Sequence, residues 1–325
     1  MHPAEFAILG AGAMGSIVGA HLARAGHRVV MLARPGRAHN IEQHGLRIRG
    51  LSEFSQAVEV ISDPSRFKGA GTLIVATKTH ATMSALEPLR HSDIDIAFSM
   101  QNGLMKNDQL ISVLGRDRVL GSLADASGEL LASGEVLFTR NGCLYLGELD
   151  GSGGTRAGHT AATIHQAGVH ASAVADILSL EWSKFTSWAG LMVLSVTTRA
   201  NSWKYLVEPD AARVLVRLVR EVVALAAARG IALSDRSTLP VASLGMGTED
   251  EAITLLHELG ERMRVNAPEH RMSTLQDLLA GRALEVEETL GYAVQQARAI
   301  ALPMPLLDAF YHLISGIDAI QHRAR

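Results

Sequence analysis

Cysteine is almost missing from this chain. A single one, Cys143, stands among 325 residues, which excludes an intramolecular disulfide framework and fits a reducing compartment, the cytoplasm. No run of about 18 apolar residues occurs, so no membrane span is expected. The richest apolar stretch, Val214 to Ala228, is interrupted by Arg217, Arg220 and Glu221 and reads as a buried helix of a soluble protein. The opening Met1-His2-Pro3-Ala4-Glu5 shows no basic segment followed by an apolar one, so no secretory signal is expected. There is no basic excess, the formal net charge being -3, and nucleic acid is not the expected partner. The 14 histidines are scattered, with no H-E-x-x-H and no paired cysteines, so no metal centre is expected. No G-x-S-x-G elbow marks a hydrolase, and no internal repeat is visible.

What is present is a long, apolar-rich chain, 47% hydrophobic, with material for two cores. The first half alternates short apolar runs with helical patterns. Strands are expected at Phe6–Leu9, Val29–Ala33, Leu73–Ala76 and Ile94–Met100, with helices at about Met14–Ala25 and Thr79–Leu89. That alternation implies βαβ units and a parallel sheet covered on both faces. Extended strands around turns are expected between Gly45 and Ile61, and further strands at Val119–Ser122, Val136–Phe138 and Cys143–Leu146. A flexible glycine stretch, Asp150–Gly154, then leads to a helix near His159–Ala167 and a strand near His170–Val174. Beyond residue 175 helical periodicity takes over at Asp176–Arg199, Asp210–Arg229 and about Thr274–Ile300, punctuated by Gly230, Pro240, Pro268, Pro303 and Pro305. The expected architecture is an α/β, doubly wound Rossmann-type domain over 1–174 followed by an all-helical domain over 175–325. An active site is expected in the cleft between them, and the apolar helices make a homodimer plausible.

The most informative string is Gly10-Ala11-Gly12-Ala13-Met14-Gly15, a G-x-G-x-x-G that follows an apolar strand and opens a helix. In that setting the first glycine permits a tight turn, the second lets a pyrophosphate approach the backbone, and the third allows close helix-to-strand packing. The helix N-terminus adds free N–H groups and a positive dipole end. At the end of the next strand, where an NAD enzyme usually carries an acid for the ribose 2′-hydroxyl, the sequence has Leu32-Ala33-Arg34-Pro35-Gly36-Arg37. Arg34 lies 24 residues after Gly10, and no acid occurs in this window. A guanidinium there can fork onto a 2′-phosphate, with Arg37 assisting, which favours NADP(H) over a merely solvated arginine.

In the second half, Lys184, Trp188 and Met192 recur at i, i+4 and i+8 on one face of an apolar helix. A lysine there either snorkels to solvent or, partly buried, serves as a general acid. Ser273-Thr274-Leu275-Gln276 has the form of a capping box, with Ser273 as N-cap and Gln276 three residues on. Such a helix start is either only a cap or also a carboxylate site. Glu285, with Glu287 and Glu288 nearby, is expected further along the same helix.

Taken in order, the glycine loop, Arg34, Thr77-Lys78 after a strand, Gln101-Asn102-Gly103 after the next, Trp182-Ser183-Lys184, and Ser273–Asp277 with Glu285 downstream resemble ketopantoate reductase (2-dehydropantoate 2-reductase) over nearly the whole chain. The resemblance implies NADPH-dependent reduction of a 2-oxo acid to a 2-hydroxy acid, with Lys184 as general acid and stabiliser of the developing alkoxide. It implies Lys78 and Asn102 near the nicotinamide ribose and reaction centre, Ser273 on the substrate carboxylate, Glu285 on cofactor or substrate, and Ser127 at a further cofactor contact. Lys184, Asn102 and Glu285 are thus the expected catalytic set.

The chain departs from the family pattern at one place. Asparagines are expected four and eight residues after the lysine, where Trp188 and Met192 stand, and neither replaces an amide that both donates and accepts. The expectation is a homologue acting on another, larger or more apolar small-molecule carbonyl, unless the helix register shifts locally or Ser187 or Ser195 supplies the missing polarity. Authentic 2-dehydropantoate 2-reductase, serving pantothenate biosynthesis, is the near alternative. An opine-type dehydrogenase and a non-catalytic dinucleotide sensor are more distant ones.

Overall fold

The computed structural model describes residues 4–323, and the first three residues, read above for a leader pattern, lie outside them. The chain divides into two compact units, Met1–Ile177 and Leu178–Arg325.

The first unit opens with β1 (Ala4–Leu9), α1 (Ala13–Arg24), β2 (Val29–Leu32), α2 (Pro35–His44), β3 (Leu46–Gly50), β4 (Phe54–Gln56) and β5 (Glu59–Ile61). It continues with β6 (Gly69–Val75), α3 (Thr82–Leu86), β7 (Asp93–Ser99), α4 (Met105–Leu114), β8 (Leu120–Leu130), β9 (Val136–Glu148), α5 (Thr155–Gln166) and β10 (Ala171–Ala173). One sheet runs β5-β2-β1-β6-β7, every pair parallel. The chain leaves β1 toward β2 and later returns to β6 on its other side, so β1 and β6 flank the reversal point of a doubly wound sheet. Their apolar runs are buried, as strands covered on both faces require. The second sheet runs β10-β9-β3-β4, with β8 antiparallel to β9. Three short strands were expected in the β8–β9 region. Instead a two-stranded ribbon forms, carrying register shifts at Asp125/Ala126 and Ser127/Gly128. Such bulges hide the period-2 pattern on which strand recognition rests.

Helix α1 is buried from Gly15 through Leu22 on every side, because it packs against strands of both sheets. This is why its sequence is mostly apolar all round rather than amphipathic, its buried Ser16 and His21 being bonded to Ala11 O at 3.2 Å and Ile17 O at 2.8 Å. The segment expected as one helix at Thr79–Leu89 is α3 between two 3-10 turns, Thr79–Ala81 and Glu87–Leu89. Pro88 sits in the second turn, which breaks the regular hydrogen-bond ladder.

The second unit is helical: α6 (Ile177–Thr198), α7 (Ser202–Val207), α8 (Pro209–Ala228), α9 (Val241–Leu244), α10 (Glu249–Asn266), α11 (Ser273–Leu279), a π-turn at Glu287–Gly291, α12 (Tyr292–Ala299) and α13 (Pro305–Arg323). The expected single helix over Thr274–Ile300 is therefore broken. It stops at Leu279 because Gly281 adopts a left-handed conformation, φ +65°, the usual way a helix terminates. Leu284 N then donates to Asp318 Oδ1 of α13 at 3.0 Å. Glu285 thus lies in an irregular segment, not on a helix.

The capping box also falls elsewhere. Thr248 caps α10, with Glu251 N donating to Thr248 Oγ1 at 3.2 Å and Thr248 N to Glu251 Oε2 at 2.8 Å. At α11 the N-cap is Met272 without a side-chain bond, and the Gln276 amide instead donates to Arg271 O at 3.3 Å. In the first turn of α10, Glu249 accepts from Arg217 Nε at 2.8 Å and Arg213 Nη1 at 2.6 Å on α8. These bonds, Arg217 first, hold its carboxyl at about 2, below the ordinary 4.5. A depressed folded-state value means that the pair stabilises the fold above about pH 4.5 and stops doing so as pH falls toward 2. Glu249→Gln should therefore lower Tm at pH 7, and the gap from wild type should close by pH 2. A gap unchanged across that range in thermal melts would contradict the assignment.

Candidate active site

Four loops leave the carboxyl ends of adjacent parallel strands: Gly10–Gly15 after β1, Arg34 after β2, Thr77-Lys78 after β6 and Gln101-Asn102-Gly103 after β7. Strand register gathers them at one edge of the sheet, Leu9 standing opposite both Leu32 and Val75, and Val75 opposite Ser99. That edge, at the reversal of strand order, is where open α/β sheets hold ligands.

The three fingerprint glycines differ in what they serve. Gly10 has φ +108°, and a Cβ there would fall 2.8 Å from Thr77 N. A Cβ on Gly15 would fall 2.1 Å from Gly10 O, inside the turn itself. Gly12, the N-cap of α1, would place a Cβ no nearer than 4.0 Å to its closest neighbour, Ala76 O. The protein's own packing therefore requires Gly10 and Gly15 but not Gly12, whose bareness suits a ligand pressed against the backbone. No side chain caps α1 and its first turn carries no acid, so the helix start favours an anion. A dinucleotide's pyrophosphate fits this cradle.

Arg34 is the exposed N-cap residue of α2, and among the described residues its guanidinium has no partner. Arg37, expected to assist it, is committed elsewhere. Its Nε donates to Ala11 O at 3.0 Å, Nη1 to Asn40 Oδ1 and Gly134 O at 2.8 Å each, and Nη2 to Ser16 Oγ at 3.1 Å. Burial first, then the nearby positive charge of Arg47, lowers the Arg37 pKa. Its work is to brace the glycine loop. Lys78 is exposed and Asn102 half-buried, each on its strand-end loop. Beneath them Gln101 is buried, its Nε2 donating to Thr77 O at 2.7 Å and Thr82 Oγ1 at 2.6 Å. Ser127 is exposed on β8, its hydroxyl 2.8 Å from Thr139 Oγ1. The adjacent Gly128 lies against Ala13 and Ile17 of α1.

In the second unit α6 is one continuous helix, so Lys184, Trp188 and Met192 do share a face. Lys184 and Trp188 are half-buried, and Trp188 is tilted against Phe185 at 6.4 Å between ring centroids. Met192, expected to line a substrate pocket, is fully buried and is a packing residue here. The serines considered as replacements are buried too. Ser187 Oγ accepts from Leu239 N at 3.0 Å, and one turn earlier Ser183 Oγ accepts from Ser234 N at 2.8 Å. Ser183 and Ser187 thus tether the 234–239 segment to α6. Ser273 is exposed at the first residue of α11. Among the described residues no group of His, Cys, Asp or Glu is placed to hold a metal ion, and no helix is long and apolar enough to cross a membrane.

A Rossmann-type sheet whose strand-end loops carry a dinucleotide fingerprint, joined to an all-helical unit with a half-buried lysine, defines a two-part class of nucleotide-dependent oxidoreductase folds. The chain belongs to the ketopantoate reductase family within it. Residues 6–151 match the family model described as Ketopantoate reductase PanE/ApbA, and residues 176–318 match its C-terminal counterpart. The 2-dehydropantoate 2-reductase of Archaeoglobus fulgidus is 28% identical over 312 residues, 96% of this chain and 97% of that one. A PanE/ApbA family ketopantoate reductase from Ralstonia eutropha JMP134 superposes with a TM-score of 0.81 at 26% identity, covering 98% of this chain and 99% of that one. A D-mandelate dehydrogenase solved with NADH and anilino(oxo)acetate gives 0.80 at 19% identity, over 98% and 99%, a likeness of fold.

Proposed function

We propose that the protein reduces a 2-oxo acid, or a related ketone, to the hydroxy compound at the expense of NADPH. The observation that carries this reading is the presence, in one chain of this family, of an anion cradle, an Arg34 unpartnered among the described residues and a half-buried lysine on an apolar helix. The amides at the start of α1 bind the pyrophosphate and Arg34 the 2′-phosphate. Lys78, Asn102, Ser127 and Glu285 complete the cofactor's surroundings, and Ser273 takes the substrate carboxylate. When bound, NADPH supplies the hydride. Lys184 gives its proton to the substrate carbonyl oxygen, and its charge stabilises the negative charge building there. An NADPH-oxidation screen over a panel of 2-oxo acids tests the proposal, and binding without turnover of any of them would overturn it in favour of a sensor.

The glycines allow the cradle to be tested apart from the fold. Gly12→Ala should leave Tm nearly unchanged while weakening NADPH binding. Gly15→Ala should destabilise the protein itself, by about 1–3 kcal/mol for a crowded methyl. Equal effects of the two on Tm would remove the distinction.

A second reading, reduction of ketopantoate itself, is favoured by the relatives that are 2-dehydropantoate 2-reductases. Against it stands Trp188, where an amide would bond the substrate hydroxyl. Trp188→Asn should raise kcat/KM for ketopantoate. Met192→Asn should instead destabilise the protein by about 1–3 kcal/mol, because it buries an amide without a partner. Efficient ketopantoate reduction by the wild type would defeat the argument from Trp188.

A further inference from the structure

Lys106 has no part in the mechanism above, yet its placement is unusual. It is 4% exposed and occupies the second position of α4, where a cation opposes the helix dipole. One turn on, Leu110 is fully buried on the same side of the helix, so an apolar residue would suit the site on packing grounds. A buried ammonium at a helix start is costly unless it is bonded. Here Nζ donates to Gln101 O at 3.2 Å and to Ser122 O.

From there an unbroken series of polar contacts crosses the strand ends. Ser122 Oγ donates to Ser99 O. Ser99 Oγ donates to Gln101 Oε1 at 2.8 Å. Gln101 Nε2 donates to Thr77 O at 2.7 Å and Thr82 Oγ1 at 2.6 Å. Thr82 Oγ1 donates to Lys78 O at 3.3 Å. The members Ser99, Gln101, Thr82, Lys106 and Ser122 are all buried. The series ends on the backbone of the two loops that carry Lys78 and Asn102, whereas the glycine loop is held separately, at Ala11 O, by Arg37.

The geometry points to Lys106 as a positioning residue. Its ammonium fixes the carbonyls of Gln101 and Ser122, and through Gln101 it sets the Thr77-Lys78 and Gln101-Asn102-Gly103 loops at a defined separation where the nicotinamide half of the dinucleotide is read. The inference rests on the proposed roles of Lys78 and Asn102. It predicts a division of labour: affinity resides at the glycine loop and Arg34, and placement of the nicotinamide ring resides in the Lys106 network.

The test is Lys106→Met, with Lys106→Gln as the conservative variant that keeps a donor. Lys106→Met should change the Kd for NADPH less than about threefold, since that is the phosphate end's affinity, and lower kcat about 10- to 100-fold, the scale of a small misplacement. The deuterium isotope effect with labelled NADPH should rise, and the fluorescence of bound NADPH should shift toward that of free NADPH. Lys106→Gln should recover part of each. A lowered Tm with kcat and bound-NADPH fluorescence within twofold of wild type would make Lys106 a structural staple and overturn the inference. If Lys106→Met does not fold, Thr82→Val decides by the same measurements, and unchanged values sink the idea. Fluorescence answers the question even if no 2-oxo acid is turned over, an outcome that would count against the proposed reaction and not against the positioning role.

Discussion

Lys184→Ala is expected to lower kcat by about 10²–10⁴-fold, the range for a lost general acid, with the Kd for NADPH almost unchanged. The two effects separate because Lys184 sits on α6 while the fingerprint glycines and Arg34 follow β1 and β2. The loss should be one of turnover, since an ammonium that acts on the carbonyl oxygen matters most when negative charge has built up there. Lys184→Arg should restore little. A guanidinium keeps the charge but holds its proton too firmly to transfer it. Pre-steady-state mixing with excess NADPH reads the chemical step directly, and a step of near wild-type rate in Lys184→Ala would remove the lysine from its role.

Arg34→Ala should weaken NADPH by about 1.5–3 kcal/mol, the worth of hydrogen bonds to a charged group, or roughly 10- to 100-fold in Kd. NADH, lacking the 2′-phosphate, should change by no more than about twofold. The effect is large because Arg34 is exposed and unpartnered among the described residues, so no internal contact is lost with it. It should also shrink at high salt, as an exposed charge pair does. Titration with both dinucleotides settles the matter, and equal losses for the two would contradict a 2′-phosphate contact. Arg37→Ala offers a contrast. That side chain bonds Ala11 O, Ser16, Asn40 and Gly134 O, so both dinucleotides should suffer together.

The parallel sheet was legible because its central strands are continuous apolar runs, and the fingerprint because its glycines sit between such a strand and a helix. α1 was legible for the same reason. Features that depend on distant partners were not. Arg37 reads like Arg34 in the sequence, and only its contacts with the glycine loop and the β8–β9 turn separate them. Lys106 follows a conspicuous loop yet looks like any solvated lysine, because burial is a property of the folded chain. Ser273 to Gln276 has the form of a capping box, yet Thr248-Glu249-Asp250-Glu251 carries the stronger pattern, a threonine followed three residues later by a glutamate. The break at Gly281 is hidden in the sequence because a lone glycine inside a helical pattern is often tolerated. Here its left-handed conformation ends the helix and leaves Glu285 in irregular chain.

The Arg37 brace bears on the thermodynamics of cofactor association. A glycine-rich loop left to itself samples many conformations, and ordering it would oppose binding by an entropic cost for each residue fixed. With Ala11 O held by a guanidinium that is itself anchored at Asn40 and Gly134, that ordering is completed when the chain folds. On the proposed function, dinucleotide docking at this edge of the sheet should be close to rigid-body association, and its heat capacity change should reflect surface covered by the ligand and not a segment folding around it.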